Sequence, residues 1–197
     1  MTFLPVPAGS LREKSHVTEE EAKSIWLEAE KSHVRMLIQT LWYTGLRISE
    51  ALKIRSCDVQ RNGYEYSILV TRGKQQKRTK KKRELAVVKS ELLPVARVFG
   101  LDLYDYIKSN SIKGEQRLFP AHRSTYWRQI RECARRANIP TWRDVHPHSF
   151  RHGFVYDKAK RGVHPYTLSR IAGHTQLGTT MEYYQPTQED LRNAMEK

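Results

Sequence analysis

One apolar helix constrains the fold of this chain more than any other stretch of the sequence. In "VRMLIQTLWY" the apolar side chains recur every three or four residues, at Val34, Leu37, Ile38, Leu41 and Trp42. This spacing predicts a helix with a broad buried face. We expect Gly45 to end this helix, because glycine adopts the left-handed conformation of a helix C-terminus without steric cost.

The rest of the sequence predicts a mostly helical α+β fold with one small antiparallel sheet. A first helix is expected after Thr18, which suits an N-cap, with Glu21 as its capping-box partner. A shorter helix is expected from Ser49, with Leu52 and Ile54 as apolar anchors. Further helices are predicted at roughly 91–108, 123–137, 148–161, 165–172 and 178–184, with a last one near 187–195.

Between residues 64 and 88 the pattern changes to that of β-strands. The segments "YEYSILV" and "RELAVV" are rich in β-branched and aromatic residues, and they predict a hairpin packed on the helical core. Its connection is strongly basic, since eight of the twelve residues from Arg72 to Arg83 are Lys or Arg. A solvated loop is the alternative, but we expect contacts with the phosphates of an anionic partner, such as a nucleic acid, from Lys77, Arg78, Lys80, Lys81, Lys82 and Arg83.

The net charge narrows the choice of partners. The 197 residues include 35 Lys+Arg and 21 Asp+Glu, a formal net charge of +14. Such an excess of positive charge indicates a polyanionic partner, for which DNA, RNA and an anionic membrane all qualify. The sequence has no apolar stretch long enough for a membrane span and no secretory signal pattern. Cys57 and Cys133 are expected to be buried free thiols rather than a disulfide. We therefore expect a cytoplasmic, nucleoid-associated protein without a membrane partner.

The predicted domain organisation is simple. Residues 1–16 lack periodicity and contain two prolines and a glycine, which is typical of a linker or the remnant of a preceding domain. Residues 17–197 are expected to form one domain with a helical tail from about 187.

Three separate stretches combine side chains that could act on a phosphodiester. "YTGLRISEALKI" contains Arg47, "HPHSFRHG" contains His148 and Arg151, and "AGHTQLGTTMEYY" contains His174 and the adjacent Tyr183 and Tyr184. Two guanidinium groups can bind phosphate oxygens in a bidentate manner, and histidines can donate hydrogen bonds or move protons. A tyrosine could act as the nucleophile if the nearby cations lower its pKa from the ordinary value of about 10.

Each of these residues also has a purely structural interpretation. Arg47 could form a surface ion pair with Glu50, and the histidines could cap helices or bind backbone groups. His146, His148 and His152 also suggest zinc, but the stretch offers neither a suitably placed Glu nor a nearby Cys. We therefore expect no metal site.

Taken in order, the three stretches resemble the boxes of the tyrosine recombinase (phage-type integrase) family over about residues 17–190. The resemblance implies a catalytic domain whose catalytic residues are Arg47, Lys74, His148, Arg151, His174 and Tyr183. The family's nucleophile usually lies nine residues after the histidine of the Gly-His pair, which selects Tyr183 over its neighbour Tyr184. Lys74, on the basic hairpin, matches the lysine that protonates the leaving 5′-hydroxyl, and Lys77 is its rival.

The resemblance implies site-specific recombination of double-stranded DNA through a 3′-phosphotyrosyl intermediate, without a metal or a small-molecule cofactor. We expect no counterpart of the family's usual N-terminal helical domain in this sequence. His152 could brace Arg151 or Tyr183, or simply pack. The alternatives are a type IB topoisomerase-like enzyme, a non-catalytic DNA-binding protein of the same fold, and a metal-dependent nuclease. The tail, with Leu191 and Met195 on one face, is expected to dock on a neighbouring copy in a homotetramer assembled on DNA.

Overall fold

The secondary structure of the computed structural model is described here for residues 16–73, 88–174 and 176–186, with Phe3–Leu4, Arg192 and Met195 in addition. A 3-10 turn at Ser56–Asp58 lies between the helix at Ile48–Ala51 and the strand at Val59–Asn62. In chain order, the helices and strands are β1 (Phe3–Leu4), α1 (Glu19–Leu27), α2 (Ser32–Thr44), α3 (Ile48–Ala51), β2 (Val59–Asn62), β3 (Glu65–Gly73), β4 (Val88–Val95), α4 (Arg97–Ser109), α5 (Arg123–Arg136), α6 (Pro147–Lys160), α7 (Pro165–Ala172), α8 (Gly178–Met181) and β5 (Gln185–Pro186).

The chain divides into two compact units. The helical unit comprises residues 1–48 and 121–197, and the sheet unit comprises residues 49–120. The prediction of a mostly helical α+β fold with a small antiparallel sheet is confirmed. No helix among the described residues has the length and apolar character needed to cross a bilayer.

Helix α2 forms the centre of the helical unit. Leu37, Ile38 and Leu41 are fully buried, where α2 packs against α1, α5 and α6. As predicted, Gly45 ends the helix with a φ of 62°. The capping box predicted at the start of α1 is also present, because the Thr18 hydroxyl accepts from the Glu21 N–H while the Glu21 carboxylate accepts from the Thr18 N–H.

The sheet unit contains a three-stranded antiparallel sheet in the order β2-β3-β4. Strand β3 alternates between buried and less buried positions, and its buried side chains are Tyr66, Ile68 and Val70. Helix α4 lies against this face at Gly100, where a Cβ atom would stand 2.3 Å from Cγ of Tyr66. A residue with a side chain at this position would therefore separate the helix from the sheet.

The predicted helix start at residue 91 is wrong. Strand β4 pairs with β3 from Val88, opposite Gly73, to Val95, opposite Tyr66, and α4 begins only at Arg97. Strand pairing decides the conformation here, and Pro94 also disfavours a helical conformation at the residue before it. Strand β2 was not predicted, because its four residues are too few to show a period.

Other local predictions had mixed outcomes. The helix expected from Ser49 is the short α3, and Ile54 is buried as predicted. Cys133 is buried and free, but Cys57 is exposed, contrary to expectation, because it lies in the 3-10 turn at the surface. The predicted strand "RELAVV" lies outside the described residues except for Val88. Residues 1, 2 and 5–15 of the predicted linker also lie outside them, and so does the tail from 187, except for Arg192 and Met195.

Candidate active site

Helix α6 carries three of the polar side chains of the candidate site on one face. The helix begins at Pro147 after His146, whose Nδ1 accepts a hydrogen bond from the His148 N–H at 3.1 Å. His148, Arg151 and His152 are spaced three and four residues apart, so they point to the same side. Arg151 is only 4% exposed, whereas His148 is exposed and His152 is half-buried.

Both candidate arginines are held by carbonyl groups of glycines that end helices. Nη1 of Arg151 donates to the carbonyl oxygen of Gly45 at 2.7 Å. Nη1 and Nη2 of Arg47 both donate to the carbonyl oxygen of Gly173, each at 3.3 Å. Gly173 ends α7 with a φ of 67°, as Gly45 ends α2. These bonds connect the "TGLR" stretch to α6 and to the Gly-His pair, so the three predicted boxes meet in one place.

His174 is a neutral imidazole at physiological pH. Its Nδ1 makes a hydrogen bond with the hydroxyl of the fully buried Thr180 at 2.7 Å. Burial, together with the positive charges of Arg151 and Arg47, lowers the pKa of His174 to about 4. A neutral imidazole can still donate one hydrogen bond to an anion from its protonated nitrogen.

His148 has the most accessible of the imidazoles on this face of α6. Desolvation and the positive charges of Arg151, His146 and Arg47 lower the pKa of His148. Among the described residues its ring makes no hydrogen bond, although it lies 6.4 Å from the ring of His146 and 6.1 Å from that of His152. The ring is therefore available to an incoming ligand.

The adjacent tyrosines Tyr183 and Tyr184 point to different partners. Both follow the short helix α8 and are buried, at 8% and 5% exposure. The hydroxyl of Tyr183 is hydrogen-bonded to Nδ1 of His152, and the hydroxyl of Tyr184 donates to the carbonyl oxygen of Val163. Tyr184 thus has a packing contact, whereas Tyr183 faces the polar side chains of α6.

The condition set for a tyrosine nucleophile, a pKa lowered by nearby cations, is not met by Tyr183, because burial outweighs the lowering by Arg151. Burial raises the pKa of Tyr183 to about 12, the carboxylate of Glu182 adds to the rise, and Arg151 opposes it. The resting hydroxyl is therefore protonated at neutral pH, because one nearby guanidinium does not offset the removal of the ring from water. Nucleophilic attack would require a base that removes its proton.

Five of the six predicted catalytic residues share this arrangement in the helical unit. They are Arg47, His148, Arg151, His174 and Tyr183. Lys74, its rival Lys77 and the other predicted DNA-binding residues of the basic loop lie outside the described residues. Within the described part of the chain, no group of three or more His, Cys, Asp or Glu side chains is arranged to hold a metal ion.

Sequence reasoning missed Thr180 and left His152 undecided. Thr180 binds His174 from inside α8, and a threonine in a short helical stretch has no pattern that distinguishes it. His152 lies one turn after His148 on α6, which indicates a shared face but does not decide between Arg151 and Tyr183 as its partner. Its contact with Tyr183 depends on how α8 packs against α6.

Comparisons with known proteins place the chain in a family. Residues 15–190 match the model of the phage integrase family. A tyrosine recombinase of Thermosipho africanus is 27% identical over 187 residues, which cover 92% of this chain and 60% of that protein. This chain therefore spans about 60% of the length of that relative.

Solved structures give the same fold. A crystal structure of XerA recombinase has a TM-score of 0.66 at 25% identity, covering 92% of this chain and 64% of that one. The structure of the Tn1549 transposon integrase in complex with circular intermediate DNA has a TM-score of 0.70 at 20% identity, covering 95% of this chain and 66% of that one.

Proposed function

Because the chain belongs to the phage integrase family, we propose that it cuts and rejoins double-stranded DNA as a site-specific recombinase, through a 3′-phosphotyrosyl intermediate. The observation that carries the proposal is the pair of hydrogen bonds from Arg47 to Gly173 and from Arg151 to Gly45. These two bonds unite three distant sequence segments around two guanidinium groups. Such a pair is suited to a phosphodiester, whose non-bridging oxygens gain negative charge during attack.

In the proposed reaction the side chains divide the work on the phosphate. Arg47 and Arg151 bind its non-bridging oxygens, and the neutral His174 donates a further hydrogen bond. His148, with its open ring, donates to the phosphate or moves a proton. Tyr183 attacks the phosphorus, and Lys74 gives a proton to the leaving 5′-oxygen. The charge that develops is balanced by guanidinium groups, so this mechanism needs no metal ion.

The phosphotyrosyl bond makes the reaction reversible. One phosphodiester is exchanged for another, so the energy of the broken bond is retained. A 5′-hydroxyl from a second duplex can then attack the same phosphorus and displace Tyr183. Rejoining to a new partner distinguishes recombination from the resealing of a single strand.

We also propose that copies of the chain assemble on DNA as a homotetramer, with the tail of one copy docked on the next. Leu191 and Met195 are four residues apart and would share one side of a helix. Met195 is 88% exposed, which supports an apolar surface that a neighbour could cover. Such a DNA-bound homotetramer would be cytoplasmic and associated with the nucleoid.

The experiment that tests the activity is covalent trapping on DNA of unspecified sequence. The protein is incubated with a labelled degenerate pool of nicked duplexes in EDTA, and adducts that survive SDS and heat are collected. A nick lets the short cleaved strand diffuse away, so the intermediate accumulates. Sequencing the trapped DNA then identifies the preferred site.

Tyr183→Phe and Tyr184→Phe are the matched variants. Adduct that disappears only in Tyr183→Phe is the expected result. Loss only in Tyr184→Phe would transfer the nucleophile to the neighbouring residue, and no adduct with the wild-type protein would contradict the proposed activity.

A further inference from the structure

The geometry around Tyr183 identifies its first hydrogen-bond partner. Among the described residues its hydroxyl has one such partner, Nδ1 of His152. The two rings are roughly parallel, with their planes at 27° and their centroids 6.2 Å apart. With Nδ1 as the acceptor, the proton of the neutral imidazole lies on Nε2.

Neither of the other two histidines is placed in this way. The ring of His148 has no hydrogen bond to a described residue and is open to solvent. Nδ1 of His174 is already bound to Thr180. The three imidazoles therefore have different environments: two are suited to a phosphate oxygen, and His152 is in contact with the attacking oxygen.

We propose that His152 accepts the proton of Tyr183 when that residue attacks the scissile phosphate, an inference that rests on the proposed function. A lone pair on the Tyr183 oxygen forms the new O–P bond, and the hydroxyl proton moves to Nδ1 of His152. The bond between phosphorus and the 5′-oxygen breaks, and its electron pair leaves with that oxygen. The 5′-oxygen takes its proton from Lys74, and in the reverse reaction the His152 imidazolium returns its proton to Tyr183.

The environment of Tyr183 makes such an acceptor necessary. The residue is only 8% exposed, so little of its side chain is in contact with bulk water. Burial raises the pKa of Tyr183 to about 12, so only a small fraction ionises spontaneously at neutral pH. A base in direct contact removes the proton during attack, which avoids a free phenolate in an apolar surrounding.

The helical unit contains a second pair of the same chemistry that provides a control. Nδ1 of His33 lies 3.0 Å from the hydroxyl of Tyr126, which is fully buried. Burial also raises the pKa of Tyr126. This pair is outside the candidate site, so replacing His33 removes a similar hydrogen bond without touching the proposed chemistry.

The test measures single-turnover adduct formation on a nicked duplex recovered from the trapping experiment. A second substrate has sulfur in place of the bridging 5′-oxygen, because a thiolate leaves without a general acid. The variants are His152→Ala, His152→Asn, His33→Ala and Lys74→Ala. Each is also assayed with added imidazole, and thermal unfolding and DNA binding are measured to detect misfolding.

We expect His152→Ala to slow adduct formation about 10²-fold or more on both substrates, the usual contribution of a general base. His152→Asn keeps a hydrogen-bond acceptor near Nδ1 but cannot take the proton, so it should also be slow. Added imidazole should accelerate His152→Ala and leave His33→Ala unchanged. Lys74→Ala should recover on the sulfur substrate, because its defect concerns only the leaving group.

Two results would overturn the inference while the proposed function stands. Either His152→Ala forms adduct at the wild-type rate, or His152→Asn does so while His152→Ala is slow, which would mean that His152 only positions the tyrosine. Absence of adduct with the wild-type protein on both substrates would instead contradict the proposed function itself.

Discussion

Nη1 of Arg151 donates to the carbonyl oxygen of Gly45 at 2.7 Å, although 106 residues separate the two in sequence. The last carbonyl groups of a helix have no partner within it and carry partial negative charge. A buried guanidinium is therefore well placed beside the glycine that ends α2. Arg47, two residues further on, has the same relationship with Gly173 at the end of α7.

Arg151→Lys is expected to damage both activity and stability. A lysine cannot hold the Gly45 carbonyl and offer a planar pair of donors to a phosphate at the same time. We predict a loss of about 10²–10³-fold in single-turnover adduct formation. The free energy of unfolding should fall by about 1–3 kcal/mol, since a buried bond to a charged donor is removed.

The control for this prediction is Arg143→Lys. Arg143 lies over the ring of Trp142 at 4.5 Å and is exposed, outside the candidate site. It should keep wild-type activity in the same trapping assay and wild-type stability in urea titrations. Normal adduct formation by Arg151→Lys would show that the guanidinium geometry is not needed.

Gly45→Ala is expected to lower the stability of the fold by more than the backbone strain of an alanine at positive φ. A Cβ atom on Gly45 would stand 2.3 Å from Cδ1 of Phe154, and its φ is 62°. Gly162 has a φ of 78° but nothing within 4 Å of its Cβ position, so Gly162→Ala isolates the backbone effect.

Urea unfolding should give a loss of about 1–2 kcal/mol for Gly162→Ala and about 2–5 kcal/mol for Gly45→Ala. Gly45→Ala should also form less adduct, because the displaced turn carries Arg47 and the carbonyl that holds Arg151. Equal losses of stability in the two variants would mean that Phe154 moves aside at no cost.

The low pKa of His174 predicts a pH-dependent stability. Unfolded histidine has a pKa of about 6.5, whereas burial and the arginines lower the pKa of His174 to about 4 in the folded protein. Between about pH 4 and pH 6.5 the unfolded chain binds a proton at His174 that the folded protein does not bind. The contribution of His174 to the free energy of unfolding is therefore complete above about pH 6.5 and is lost as the pH falls towards 4.

His174→Gln should lessen this dependence. The variant cannot take up a proton, so its free energy of unfolding should fall less than that of the wild type between pH 7 and pH 4.5, by about 1–3 kcal/mol. Chemical denaturation at a series of pH values measures the difference. His148 and His146 also have lowered pKa values and remain in both proteins, so identical pH profiles would exclude His174 as a contributor.

The basic loop should control the salt dependence of DNA binding. Replacing Lys80, Lys81 and Lys82 by alanine should reduce the slope of log affinity against log salt concentration by about 2–3, because fewer counterions are released. Lys23→Ala is the control, since Lys23 forms an ion pair with Glu19 at 2.9 Å. Titrations at several salt concentrations that give the same slope for the triple variant and the wild type would contradict loop–phosphate contact.

Local signals in the sequence were enough for most of the secondary structure. The Thr18–Glu21 capping box and the end of α2 at Gly45 depend on residues within one turn, so sequence reasoning predicted both correctly. The start of α4 was missed because residues 88–95 are held by pairing with β3, which no local pattern in "VKSELLPV" reveals. The chemistry of the side chains suggested that the arginines, histidines and a tyrosine act together, and the family resemblance selected Tyr183.

The tertiary structure decided how those side chains are held and what state they are in. The bond from Arg47 to Gly173 spans 126 residues, a separation over which sequence spacing carries no geometric information. The protonation states of Tyr183 and His174 depend on how deeply packing buries each ring and how close it brings the arginines. The sequence by itself determined which groups could meet, because helix periods and glycine turns are local properties. Packing between helices determined that His152, rather than Arg47 or Arg151, contacts the hydroxyl of Tyr183.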